Sequence, residues 1–418
     1  MKKHFSFSAA SRRDLLRLGM YGIGVSAAAV PMPLFAQAAS ALSGESKSNG
    51  KILVVLELSG GNDGLNTLIP YGDDAYYKHR PNIGVKRKDL RPIDDHFGFS
   101  KGMAGFERLY KSGKLAIVHG CGYENPSFSH FTSMAYWHTA APNSGEQYGW
   151  VGRLADEMAP SAPPNFIVNI DTRQSLAVRS HLHVPVVFDD PNKFSQELFF
   201  DEKDALKPPS HEASVANPSR QFLLNTAQSA RQASALVREA WSKYHSPVDY
   251  GVVALDLPKV AALIAAGMPT RLYYTAYRNN AFDTHVFQND THRRLLTYAS
   301  DAVSAFLEDM ERIGRADDVS VMVFSEFGRR VPENVNLGTD HGAANLMFVA
   351  GKQVKGGQYG KIPSLTQLDP GDNLVYTTDF RRVYATMIAG WLGLNPADTH
   401  EVLKGDFERF DMFQRVSA

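Results

Sequence analysis

The chain has 418 residues, 44% of them hydrophobic, and its 44 Lys and Arg balance its 44 Asp and Glu. That length can bury a large core, as one big α/β domain or as two smaller ones, and a net charge of zero gives no electrostatic reason to expect a nucleic-acid partner. A single cysteine, Cys121, excludes an internal disulfide framework.

The first forty residues read as an address. Ser11-Arg12-Arg13-Asp14-Leu15-Leu16-Arg17 is a twin-arginine motif; the mildly apolar stretch Leu18 to Val30 follows, then the small-residue site Ala36-Gln37-Ala38. Rich in Gly and Ala and broken by Pro31 and Pro33, this stretch makes a poor permanent membrane span. Residues 1–38 are therefore expected to be a signal read by the twin-arginine translocase. Removing them leaves a soluble protein, with no stable membrane span, in the periplasm or outside the cell. Residues 39–50 form a small, polar linker, and residues 51–418 are expected to form one domain.

Lys51 to Leu58 is a continuous apolar run, the pattern of a strand covered on both faces. It ends in Ser59-Gly60-Gly61-Asn62-Asp63-Gly64, a turn dense in residues that tolerate unusual dihedrals. Short apolar runs recur at Leu115 to His119, Phe166 to Ile170, Arg271 to Ala276, Val319 to Phe324 and Leu346 to Ala350. Pro126-Ser127-Phe128-Ser129-His130-Phe131 precedes a predicted helix from Thr132 to Thr139. A long helix is predicted from about Val286 to Ile313, where His292, Leu296, Ala299, Val303, Phe306, Met310 and Ile313 share one face and Gly314 ends it. His292 on that face reads as a satisfied core residue. A second helix, roughly Gln221 to Tyr244, is polar on most faces, and residues 192–250 read as a helical insertion packed on the rim. Strands alternating with helices predict a mostly parallel sheet with helices on both faces.

In such a sheet, ligands bind where the strands end. Asp63 and Glu326 directly follow strands, Asp283 and His285 follow another after a short loop, and Asp340-His341 lies between Gly338 and Gly342 just ahead of the last run. Asp379 stands in Thr377-Thr378-Asp379-Phe380-Arg381, where it also suits a helix N-cap. Carboxylates and neutral imidazoles gathered in one place favour a divalent cation over a purely structural network. No GxGxxG turn follows the first strand, which argues against a nicotinamide enzyme.

The stretches "LELSGGNDGLNTLIPY", "NPSFSHFTSMAYWHT", "FDTHVFQNDTHRRLL", "SEFGRR" with "GTDHG", and "TTDFRRV" resemble the DUF1501 family, an exported branch of the alkaline phosphatase–sulfatase superfamily. The resemblance covers residues 51 to 393. It implies an alkaline-phosphatase-like three-layer α/β/α sandwich, mostly parallel, with a one- or two-metal centre (Zn, Mg, Mn or Ca) that hydrolyses or transfers phosphate or sulfate esters. By the same resemblance Asp63 stands where the first-strand metal ligand does, Asp340 and His341 match the superfamily's Asp-His pair, and Asp283 and His285 match second-metal ligands at a shorter spacing. The family's final histidine ligand has no match, and Asp379 is a candidate substitute.

For the nucleophile, the resemblance calls for a hydroxyl at a helix N-terminus, and Ser129 is the candidate, with His130 beside it as an alternative ligand or general base. Cys121 is followed by Gly-Tyr-Glu-Asn, which does not fit a formylglycine sulfatase. Arg329 is a candidate clamp for ester oxygens. The expected function is thus metal-dependent hydrolysis of a small-molecule or polymer phosphate or sulfate ester. The alternative is a non-catalytic, metal-stabilised binding scaffold of the same fold.

Overall fold

The computed structural model describes residues 50–194 and 233–414. Its main sheet has nine strands: β1 (Ile52–Leu58), β2 (Leu115–Gly122), β3 (Ile167–Ile170), β4 (Val186–Phe188), β5 (Leu272–Tyr277), β6 (Val319–Phe324), β7 (Asn345–Ala350), β8 (Gly357–Tyr359) and β9 (Thr378–Asp379). Their order is β8-β2-β7-β6-β1-β5-β3-β4, with β9 also paired to β2. β1 lies parallel to both β5 and β6, and only β7 runs antiparallel to its neighbours. The expected mostly parallel α/β sandwich is what the chain forms.

The period-2 alternation of β1 explains the layers. Ile52, Val54, Leu56 and Leu58 face one core with residues of the helices Ala104–Lys111, Leu257–Ala265 and Gln288–Arg312. Leu53 and Val55 face a second core with residues of the helices Trp150–Met158 and Pro396–Leu403. Each β1 residue is buried, which is why its sequence is apolar but for Glu57, whose carboxylate is bonded to His138 and Tyr274.

The long helix spans Gln288–Arg312, within a few residues of its predicted ends. His292 is buried and bonded to Asn62 Oδ1 at 2.9 Å, a satisfied core residue as expected. Of the predicted helix Gln221–Tyr244, the first half lies outside the described residues. The part from Ala233 onward is helical and sets Ala233, Val237 and Ala240 into the main core. Residues 1–38 also lie outside the described residues.

The antiparallel β7 settles how Asp340 and His341 come to the ligand-binding edge. β6 carries the chain out to that edge, the segment 325–344 loops beyond it, and β7 starts there and runs back. Arg330 N donates to Asp340 O at 3.0 Å and Gly342 N to Gly328 O at 2.8 Å, extending the β6–β7 pair past the sheet. Gly342 is needed for this close approach: a Cβ there would stand 2.3 Å from the carbonyl carbon of Arg329.

Candidate metal centre

Two loops and the start of a helix meet at the edge where β1, β5 and β6 end. The loop after β5 supplies Asp283 and His285. The β6–β7 loop supplies Glu326, Arg329, Asp340 and His341. The helix His130–Thr139, which follows β2, supplies His130 at its first position.

Each of the three histidines has its Nδ1 bonded to a group that can only accept. His130 Nδ1 donates to Glu326 Oε1 at 2.8 Å, His341 Nδ1 to Phe128 O at 2.7 Å, and His285 Nδ1 to Asp340 Oδ1 at 3.2 Å. The proton is thereby placed on Nδ1, and each Nε2 presents a lone pair. All three Nε2 atoms gather on Asp283. His130 Nε2 lies 3.4 Å from its Oδ2, while His285 and His341 Nε2 lie 3.0 and 3.1 Å from its Oδ1.

Such an arrangement is repulsive by itself. His285 and His341 Nε2 stand 3.0 Å apart, lone pair toward lone pair. His130 Nε2 is buried with no hydrogen-bond partner at all. Ligand atoms held at about 2.0–2.1 Å from a tetrahedral cation are separated from one another by about 3.3 Å. The ligand atoms of His130, Asp283 and His341 all lie within 4.8 Å of one another. The donor set and the orphaned nitrogen fit a divalent cation of the kind that accepts nitrogen and oxygen.

The floor of the cluster is rigid. Glu326 is fully buried; besides His130 it accepts from Gly60 N (2.8 Å) and Ser325 Oγ (3.0 Å). Its carboxylate raises the His130 ring above its ordinary value through the bond to Nδ1. Partial burial works to raise the Asp283 carboxyl, but the hydrogen bond and charge of Arg329 draw it down to about 2. For His341, burial dominates and lowers the ring. His285 and Asp340, at 37% and 48% side-chain exposure, form the open mouth.

Arg329 does not stand free to clamp an ester. Its guanidinium is fully buried, with Nε donating to Gly61 O, Nη1 to Thr339 O, and Nη2 to Gly60 O, Phe282 O and Asp283 Oδ1. Nη1 also stands 3.5 Å from His285 Nε2, so all its donors are used. It ties together the turn after β1, the loop after β5 and the β6–β7 loop.

Two expected ligands stay outside. Asp63 caps the short helix Gly64–Thr67, with Oδ1 accepting from Leu65 N and Asn66 N. Its Oδ2 accepts from Arg80 Nη1 at 2.6 Å and from Gln288 Nε2. No lone pair remains for a cation. Burial pushes the Asp63 carboxyl up, but Arg80 overcomes it and holds the group below its ordinary value. Asp379 closes onto its own helix instead, accepting from Arg381 N and Nε and pairing with Arg381 Nη2 at 2.6 Å. Ser129 is the exposed N-cap residue of the helix that starts at His130, and its side chain makes no capping bond.

Sequence reasoning gathered Asp283, His285, Asp340 and His341, named His130 as an alternative, and gave Glu326 no role. The only signal for Glu326 was an acid directly after a strand.

Fold and site together define an α/β sandwich protein with a histidine–aspartate cluster at the end of a parallel sheet. Residues 258–404 match the family model described as "Protein of unknown function (DUF1501)". The matched stretch holds Asp283, His285, Asp340 and His341 but not His130. Similar solved structures include the lipoteichoic acid synthase LtaP from Listeria monocytogenes, at 11% identity over 90% of this chain and 81% of that one, with a TM-score of 0.38. A sulfatase from Pseudoalteromonas sp. shares 9% identity over 91% of this chain and 75% of its own, with a TM-score of 0.38. A protein in the alkaline phosphatase superfamily from Vibrio parahaemolyticus shares 9% over 80% and 72%, with a TM-score of 0.34. A comparison with curated proteins gives no match.

Proposed function

We propose that this protein is an exported, metal-dependent hydrolase of phosphate or sulfate esters. The observation that carries the reading is the convergence of three Nε2 lone pairs on Asp283, one of them buried without a partner. His130, Asp283 and His341 would hold the cation, with His285 and Asp340 beside them at the mouth. Bound there, a divalent cation polarises an ester oxygen and acidifies an attacking hydroxyl. Glu326 keeps the His130 proton on Nδ1, and carboxylate partners of this kind orient a ligand ring and raise its basicity. Arg329 keeps Asp283 ionised and fixes the loops that present it. The Ser129 hydroxyl, at the start of a helix and not used as a cap, is the nucleophile this chain offers.

One observation favours the non-catalytic reading. Among the described residues, no hydroxyl side chain is hydrogen-bonded to the five cluster residues. Turnover of a panel of phosphate monoesters, phosphate diesters and sulfate esters decides between the two, run with Ser129→Ala and His130→Ala. Hydrolysis lost in Ser129→Ala with metal retained supports the enzyme. Metal bound by the wild type with no ester turned over supports the scaffold.

Residues 1–38 are proposed to be the twin-arginine signal, with residues 51–418 one domain carrying the insertion at 192–250. Among the described residues no helix is long and apolar enough to cross a membrane.

A further inference from the structure

Eleven large hydrophobic side chains are exposed among the described residues, and six of them lie in the three segments that carry the histidine–aspartate cluster. Phe128 and Phe131 flank His130, Val286 and Phe287 follow His285, and Val335 and Leu337 lie in the loop that returns to Asp340. Phe131 is 91% exposed, Val335 96% and Phe287 70%. The three segments are joined through backbone groups. Phe128 O accepts from His341 Nδ1, Phe287 N donates to Asn336 O at 2.9 Å, and Gln288 N donates to Leu337 O at 2.9 Å. Two of the six also hold a left-handed backbone, Phe287 at φ 45° and Leu337 at φ 58°. Glycine or asparagine suits that conformation, and an exposed Phe or Leu there serves neither the turn nor the core. Exposed apolar side chains gathered in one place mark a surface that meets something apolar.

We infer that the substrate of this site is an amphiphile, with an anionic ester head at the cluster and an alkyl chain lying on this rim. The inference rests on the reading of the cluster as a metal site for anionic esters. None of the six side chains carries a polar atom, so these six give an alkyl chain apolar contact and a sugar hydroxyl none. Three are aliphatic and give no flat face on which a ring would stack, whereas a flexible chain can follow both Phe and Val surfaces. An occupant of the rim must also satisfy the polar mouth at His285 and Asp340, whose side chains are 37% and 48% exposed. An amphiphile brings its own charged head to that place.

The test uses the zinc-loaded protein and non-hydrolysable methyl-, butyl- and octylphosphonate, all below their micelle concentrations, with binding followed by calorimetry. Affinity is expected to rise about two- to fourfold per methylene as the chain extends over the rim. The double variant Phe131→Ser with Phe287→Gly, in which glycine relieves the left-handed backbone, should flatten that rise and leave methylphosphonate binding unchanged. Equal affinity for all three phosphonates overturns the inference while the metal-site reading stands. A rise that persists in the double variant puts the chain elsewhere and also overturns it. Failure of methylphosphonate to bind the zinc-loaded protein overturns the site reading, and the inference with it. A wild-type dimer in sedimentation that the double variant abolishes assigns the rim to a second copy and overturns the inference alone.

Discussion

Asp63 and Asp283 both follow strands at the same sheet edge, and the donors around each decide its role. Asp63 meets four donors, one of them the buried Arg80. Asp283 meets one guanidinium and three imidazole lone pairs. Asp63→Asn leaves Arg80 buried without its counter-charge and should cost about 3–5 kcal/mol at neutral pH with metal content unchanged, measured by denaturant unfolding and metal analysis. The Asp63 carboxyl is held below its ordinary value of 3.8, so its contribution is present in full above that pH and is lost as pH falls through the folded-state value. The gap between wild type and Asp63→Asn should therefore narrow in acid. Asp283→Asn is expected to do the reverse, losing metal at a stability cost of about 1 kcal/mol, because the Asp283 side chain is 31% exposed and Arg329 keeps its backbone acceptors. Glu326→Gln keeps an acceptor for His130 but removes the charge behind it. Metal affinity should fall by about tenfold or more, read by competition with a chromophoric chelator.

At the scale of elements, the close packing of the loops sets the site. A Cβ on Gly338 would stand 2.2 Å from the carbonyl carbon of His285. Gly338→Ala should therefore push the 283–287 loop from the 334–341 loop and weaken metal binding, while far-ultraviolet circular dichroism stays that of the wild type. A variant that binds metal as tightly as the wild type would show that this contact does not position the cluster. The same elements show what was legible beforehand. The central strands, β1 and β6 above all, are buried on both faces and so appear as apolar runs interrupted only by Glu57 and Ser320. β4, β8 and β9 are two or three residues long and carry no pattern to read. Asp283-x-His285 and Asp340-His341 were visible because each pair is local. The bond from His130 to Glu326 joins residues 196 apart, and it exists only because the helix His130–Thr139 packs over the end of β6. Asp63 was misread for a related reason: Arg80 lies seventeen residues on, and nothing in the turn announces that it folds back.

For the whole molecule, the proposed export signal precedes a proposed metal centre assembled from three distant parts of the chain. Changing Arg12 and Arg13 to Lys should hold the precursor in the cytoplasm, since the translocase reads the pair itself; cell fractionation and immunoblotting check this, and normal export of the variant would refute the signal. The central claim is the cation on His130, Asp283 and His341, and elemental analysis of protein purified without chelator tests it most directly. The account predicts a stoichiometric divalent metal in the wild type, lost in both His130→Ala and His341→Ala while each variant keeps its cooperative melting transition. Wild-type protein carrying no stoichiometric metal and taking none up on dialysis, or full metal retention in both variants, would contradict it.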